Sequence, residues 1–109
     1  METMKYKLRY LPLFYDDLEQ RAIYISETLN NSQAAKDLLD AVESAILNRL
    51  PFAESFEPYE SPAEREHPYY RIYINNYTVF YVVLDDGIGQ KTMEVRRFLY
   101  NKENWQYLL

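Results

Sequence analysis

A chain of 109 residues, 48% hydrophobic, holds enough apolar material for one modest core and too much for a disordered segment. It has no cysteine and one histidine, His67, which excludes disulfide frameworks, thiolate chemistry and any multi-histidine metal site within one chain. The formal charge of −5 argues against a simple nucleic-acid binder, because neutralising phosphate supplies most of such a protein's affinity.

The charge is unevenly placed: residues 1–15 carry three bases against one acid, 16–66 four against twelve, and 67–109 five against four. No apolar run approaches the roughly 20 residues of a membrane span. Lys5, Lys7 and Arg9 interrupt any leader-like hydrophobic stretch, so a cytoplasmic protein of one domain over 1–109 is expected.

Residues 5–11 alternate strictly, with Tyr6, Leu8 and Tyr10 on one side and Lys5, Lys7 and Arg9 on the other, the pattern of a strand with one buried face. The three bases read as a solvated strand face or as guards of a sheet edge, and otherwise as a phosphate-facing stripe. Pro12 ends that strand and opens a helix, followed by Asp16, Asp17 and Glu19, acids that complement a helix dipole. Phe14, Leu18, Ala22, Ile25 and Leu29 give an apolar stripe, so the first helix is expected to run to about Thr28. Asn30-Asn31-Ser32 breaks it, with Asn31 or Ser32 capping a second helix. Ala35, Leu38, Leu39, Val42, Ile46 and Leu50 form the second stripe, and Pro51 ends it. Two helices with so short a connection predict an antiparallel hairpin packed on a sheet.

Residues 52–68 hold three prolines and five glutamates with no clear period. Glu54, Glu57, Glu60, Glu64 and Glu66 read first as a solvated acidic loop and second as a general-base or metal cluster. Residues 70–74 and 77–84 are dense in β-branched and aromatic side chains. Only Asn75-Asn76 lies between them, and Asn tolerates the positive φ of a tight hairpin turn. Asp85-Asp86-Gly87-Ile88-Gly89 holds both glycines and marks a second reversal, before a third strand over 92–99. Tyr77 and Tyr81 share a face and read as core. Trp105, Leu108 and Leu109 are expected to dock the tail back on the body.

The order Arg71-x-x-Ile74, short turn, Tyr77-x-Val79-Phe80-Tyr81-x-Val83, acidic glycine turn, strand with Arg97, Tyr100-x-Lys102-x-x-Trp105 resembles the C-terminal half of the RelE/ParE superfamily of toxins from bacterial type II toxin–antitoxin pairs. The ParE-like branch is the nearer one. The resemblance implies an α+β fold: an N-terminal strand and an antiparallel helical hairpin packed on a small, mainly antiparallel four-stranded sheet. It implies growth inhibition and plasmid stabilisation in the bacterial cytoplasm, with no cofactor and no metal. It also implies a cognate antitoxin, whose C-terminal segment wraps the toxin as a helix and sometimes as an added strand. The acidic helices predict that this antitoxin brings basic residues and that high salt weakens the complex.

RNA-cleaving members of the superfamily act on mRNA within the ribosome: a 2′-hydroxyl attacks the adjacent phosphate, helped by a base, an acid and a cation. The resemblance places Arg71, Arg97, Lys102 and Tyr107 at such positions, with Glu66 and His67 as further proton carriers. Thr78 stands where those enzymes carry a phosphate-binding Arg, and Thr cannot offer a cationic fork. Tyr73 replaces a second Lys, and Glu103 reverses one of two arginine charges. A non-enzymatic toxin binding an essential protein, DNA gyrase in characterised relatives, is therefore preferred. A ribosome-dependent endoribonuclease and a degenerate member that binds only antitoxin are the alternatives.

Overall fold

The computed structural model describes residues 5–59, 66–103 and 105–109. Its first strand, β1 (Tyr6–Tyr10), keeps the alternation of the sequence, with Tyr6, Leu8 and Tyr10 half-buried and the bases between them exposed. Leu11 stays extended, as a residue before proline must, and Pro12 opens α1 (Pro12–Ile23). The helix continues as a π-helical turn, Tyr24–Thr28, closed by the Leu29 N–H donating to Tyr24 O at 3.1 Å. Helical structure thus reaches Thr28, but not as one regular α-helix. The wider turn rotates the projection, so Leu29 is exposed instead of continuing the apolar stripe.

Asn30 takes a positive φ of 51° and ends the π turn. Asn31, not Ser32, caps α2 (Ser32–Arg49), its side chain accepting from the Ala34 N–H at 3.0 Å. Ala35, Leu38, Val42 and Ile46 are buried beneath α2. Leu39 departs from the expected stripe and is 41% exposed, because one-sided packing needs only the narrower row. Asp16 and Asp17 begin beyond the first turn of α1, and Asp17 is held by a strand instead of serving the helix dipole. A 3-10 turn, Leu50–Phe52, follows α2.

Three strands then form a meander: β2 (Tyr70–Ile74), β3 (Tyr77–Asp85) and β4 (Lys91–Tyr100). Asn75 supplies the positive φ, 53°, of the first turn. In the second, Asp85 accepts from the Gly87 N–H, Asp86 accepts from the Ile88 and Gln90 N–H groups, and both glycines have positive φ. The sheet order is β1-β4-β3-β2, with β1 parallel to β4 and the other pairs antiparallel. The hairpin is therefore the crossover that a parallel neighbour requires. A short helix, α3 (Trp105–Leu108), ends the chain.

One irregularity decides which side chains reach which face. Phe80 pairs with Arg97 but Tyr81 pairs with Val95, leaving Arg96 as an extra residue in β4. Strict alternation would put Val95 and Phe98 on opposite faces; the bulge brings both to the helix side. There they pack with Phe14, Leu38, Val42, Ile46, Ile72, Val79, Tyr81 and Met93. Fully burying a side chain of the size of Phe14 or Ile46 contributes about 1.5–3 kcal/mol, so this layer supplies most of the apolar driving force. The other face carries a smaller cluster, Tyr69, Phe80, Val82 and Leu99, covered by Tyr59, Trp105, Leu108 and Leu109. Both faces of β3 are consequently buried.

Candidate functional site

Arg71, Phe80 and Arg97 are register partners in one row across β2, β3 and β4. With strands spaced at 4.7–4.9 Å, the two arginine Cα atoms lie about 10 Å apart. The space between them is filled. Phe80 is fully buried, the Trp105 ring stands edge-on to it at 4.9 Å, and Tyr59 packs on both at 5.8 and 5.9 Å. Arg71 spreads over Tyr59 and Tyr73 at 5.2 and 5.7 Å, a cation–π arrangement.

Arg97 is committed to the scaffold. Its Nε and Nη2 donate to the Asp17 carboxylate at 2.7 and 3.1 Å, and its Nη1 donates to Leu108 O at 2.6 Å. The same carboxylate accepts the Phe98 N–H at 3.1 Å. The hydrogen bond that Arg97 donates to Asp17 is the first cause holding the Arg97 pKa above its usual value, against the opposing effect of burial.

The other expected site residues lie apart from this row. Lys102 is exposed in the turn after β4, and Glu103 beside it accepts the Tyr100 N–H at 3.0 Å. Tyr107 is 82% exposed. His67 sits 3.9 Å from the Glu66 carboxylate. Thr78 is fully buried and its hydroxyl donates to Asn101 Oδ1 at 2.7 Å, which ties the turn after β4 to the start of β3. In the acidic loop, Glu54 pairs with Lys91 at 2.8 Å and accepts the Tyr6 hydroxyl, while Glu57 is exposed. Glu60 and Glu64 lie outside the described residues. No group of three or more potential metal ligands gathers among the described residues.

Of the basic stripe on β1, Arg9, itself exposed, reaches across to Glu94 on β4, which also accepts Arg96 Nε at 2.8 Å. Glu94 is 3% exposed. Burial pushes its carboxyl pKa up, but hydrogen bonds and charge from the two guanidiniums outweigh that and leave it lowered. Arg9–Glu94–Arg96 thus fastens the edge strand, a use the alternation of β1 could not disclose.

Surface depressions flank this scaffold. An apolar groove of about 490 Å³ runs between α1 and α2, lined by Tyr15, Leu18, Ala22, Ile23, Ala35 and Leu39. Leu13, Tyr24, Leu29 and Leu47 are also exposed on the helical elements. A polar cleft of about 410 Å³ lies between α1 and the end of β4. The amphipathic stripes foretold buried faces, but not how much apolar surface would stay outside them.

A strand, a helical hairpin and a meander that closes a mixed four-stranded sheet is the architecture of the RelE/ParE class of small toxins. The sequence agrees: the family described as ParE toxin of the type II toxin–antitoxin system parDE matches residues 8–105. The chain belongs to that family, and the family implies an antitoxin partner. No curated protein sequence matches it. Among the described residues, no helix is long and apolar enough to cross a membrane.

Proposed function

We propose that this chain is a non-enzymatic toxin that arrests growth by binding an essential protein, DNA gyrase being the first target to test. Its place of action is the bacterial cytoplasm. The carrying observation is the filled sheet face. Where a scissile phosphodiester would need a row of cations and a proton acceptor, Phe80, Trp105 and Tyr59 occupy the space. Thr78 is buried against Asn101, and Arg97 has its fork on Asp17. An endoribonuclease using Arg71 and Arg97 would have to dismantle that packing first, and Lys102 and Tyr107 lie apart from the row.

The groove between α1 and α2 supports neutralisation by a cognate antitoxin. An apolar groove flanked by exposed leucines fits the apolar face of an amphipathic helix. Exposed Asp16, Glu19, Glu27, Asp37, Asp40 and Glu43 on the hairpin favour basic residues at the rim of that helix. Among the described residues β2 is an edge strand, and its edge, where Tyr73 is exposed, suits an added strand.

The test uses the chain purified free of its antitoxin, in parallel assays of gyrase supercoiling and of mRNA integrity during translation. Inhibition of supercoiling with intact mRNA supports the reading. Codon-positioned mRNA cuts with unaffected supercoiling would replace it with the endoribonuclease. Growth arrest with neither effect would keep a protein-binding toxin but remove gyrase, and no arrest at all would leave the antitoxin-only member.

A further inference from the structure

The polar cleft between α1, the π turn and the end of β4 is not used by this reading. Arg21 projects into it from the last turn of α1. Its guanidinium carbon lies 5.4, 5.6 and 5.3 Å from the ring centres of Tyr24, Tyr77 and Tyr100. At these distances the ring quadrupoles attract and position a cation. Among the described residues no carboxylate pairs with Arg21, and its guanidinium donates no hydrogen bond. That separates it from Arg9, Arg96 and Arg97, which are ion-paired.

The acids that line the same cleft are already engaged. Asp17 holds Arg97 and the Phe98 N–H, and Glu103 takes the Tyr100 N–H. A second, independent feature marks the place. Tyr24 opens the π-helical turn, and such turns cost helix stability and recur where a helix is shaped for function. The tyrosine cage thus holds a guanidinium whose donors meet no acceptor among the described residues.

We propose that this cleft receives the carboxylate of an Asp or Glu side chain presented by a protein partner. The carboxylate forms paired hydrogen bonds with the Arg21 fork, and the three rings enclose its aliphatic stem. A single negative charge is the right complement. Arg21 and Arg97 are offset in the lining by Asp17 and Glu103, so a doubly charged phosphate would meet two carboxylates with only one unspent cation. Tyr24 is 43% exposed, which leaves the mouth open to a side chain carried on a larger surface. The choice of a protein as ligand carrier rests on the toxin reading; recognition of a carboxylate rests on the cleft alone.

The experiment is an NMR titration of the full, isotope-labelled chain with N-acetyl-glutamate methylamide. The matching glutamine derivative and inorganic phosphate are the controls. The expected result is a saturable shift of the Arg21 Nε–H and of the Tyr24, Tyr77 and Tyr100 ring signals with the glutamate probe, in the millimolar range. Arg21→Gln should weaken that binding by about tenfold or more, and Arg21→Lys by a smaller factor, because lysine keeps charge but loses the fork. The absence of a saturable shift would overturn the proposal. So would equal response to the glutamine probe, tighter binding of phosphate, or shifts unchanged in Arg21→Gln. If Arg21→Gln fails to fold, the glutamate–glutamine comparison on the unaltered chain decides. Growth inhibition measured in parallel separates the two ideas: a toxic chain that ignores the glutamate probe sinks the cleft and spares the toxin reading.

Discussion

Removing the Asp17 carboxylate is the sharpest test of whether Arg97 belongs to the scaffold or to a reaction. That carboxylate accepts three hydrogen bonds, from Arg97 Nε, Arg97 Nη2 and the Phe98 N–H, and both ion-pair side chains are 15% exposed. Breaking a fully buried pair from one side costs about 3–5 kcal/mol, and residual solvent brings this pair to about 2–3 kcal/mol. For a chain of 109 residues each kcal/mol moves the thermal midpoint by about 4 °C, so Asp17→Ala should lower it by about 8–12 °C. A cycle of Asp17→Ala, Arg97→Ala and the double variant, followed by urea denaturation, should give a coupling energy of at least about 1.5 kcal/mol. A coupling below about 0.5 kcal/mol would refute the argument. Growth assays add a second readout. If Arg97 steadied a phosphoryl transition state, Arg97→Ala would abolish inhibition with an unchanged midpoint, and Asp17→Ala would leave inhibition intact.

Other consequences can be measured with the same preparations. Glu94 has a lowered pKa when folded, so its contribution is present above the unfolded carboxyl value of 4.5 and is lost as pH falls through that value towards the folded one. Stability of the native chain should therefore fall more steeply below pH 4.5 than that of Glu94→Gln, in chemical denaturation across pH; parallel curves would remove the Arg9–Glu94–Arg96 clamp from the account. Trp105→Ala empties the cover over Phe80 and Tyr59, and should cost about 2–3 kcal/mol, the low end for a large aromatic because Trp105 is only half-buried. A loss under about 0.5 kcal/mol would mean that the tail does not seal this face. Asn75→Ala should destabilise by about 1 kcal/mol through its positive φ, whereas Asn75→Gly should not. Leu39→Asp and Ile23→Asp, on exposed positions beside the helical groove, should leave the midpoint nearly unchanged and weaken antitoxin binding by at least about tenfold. Unweakened binding by calorimetry would move the docking site elsewhere.

What could be read from residues alone were the elements with a local cause. Pro12 sets a helix start, Asn75-Asn76 and the two glycines set the reversals, and the alternation in residues 5–11 sets a strand, because each depends on backbone sterics or on a short period. The same locality let the order of those elements resemble a toxin family. The structure bears out that order and the family's sheet.

Tertiary structure decided everything that depends on which distant groups meet. The bulge at Arg96 turns Phe98 to the helix side, and neither residue's type announces it. Asp17 and Arg97 are 80 positions apart and share no sequence pattern, so only folding shows that one neutralises the other. The Arg21 cage draws on α1, the π turn, β3 and β4, and its guanidinium looks like any helical surface charge until the three tyrosines close around it. Periodicity fixes the direction in which a side chain leaves its own element; it carries no information about the charge or ring waiting there, because that neighbour is supplied by chain closure over long loops.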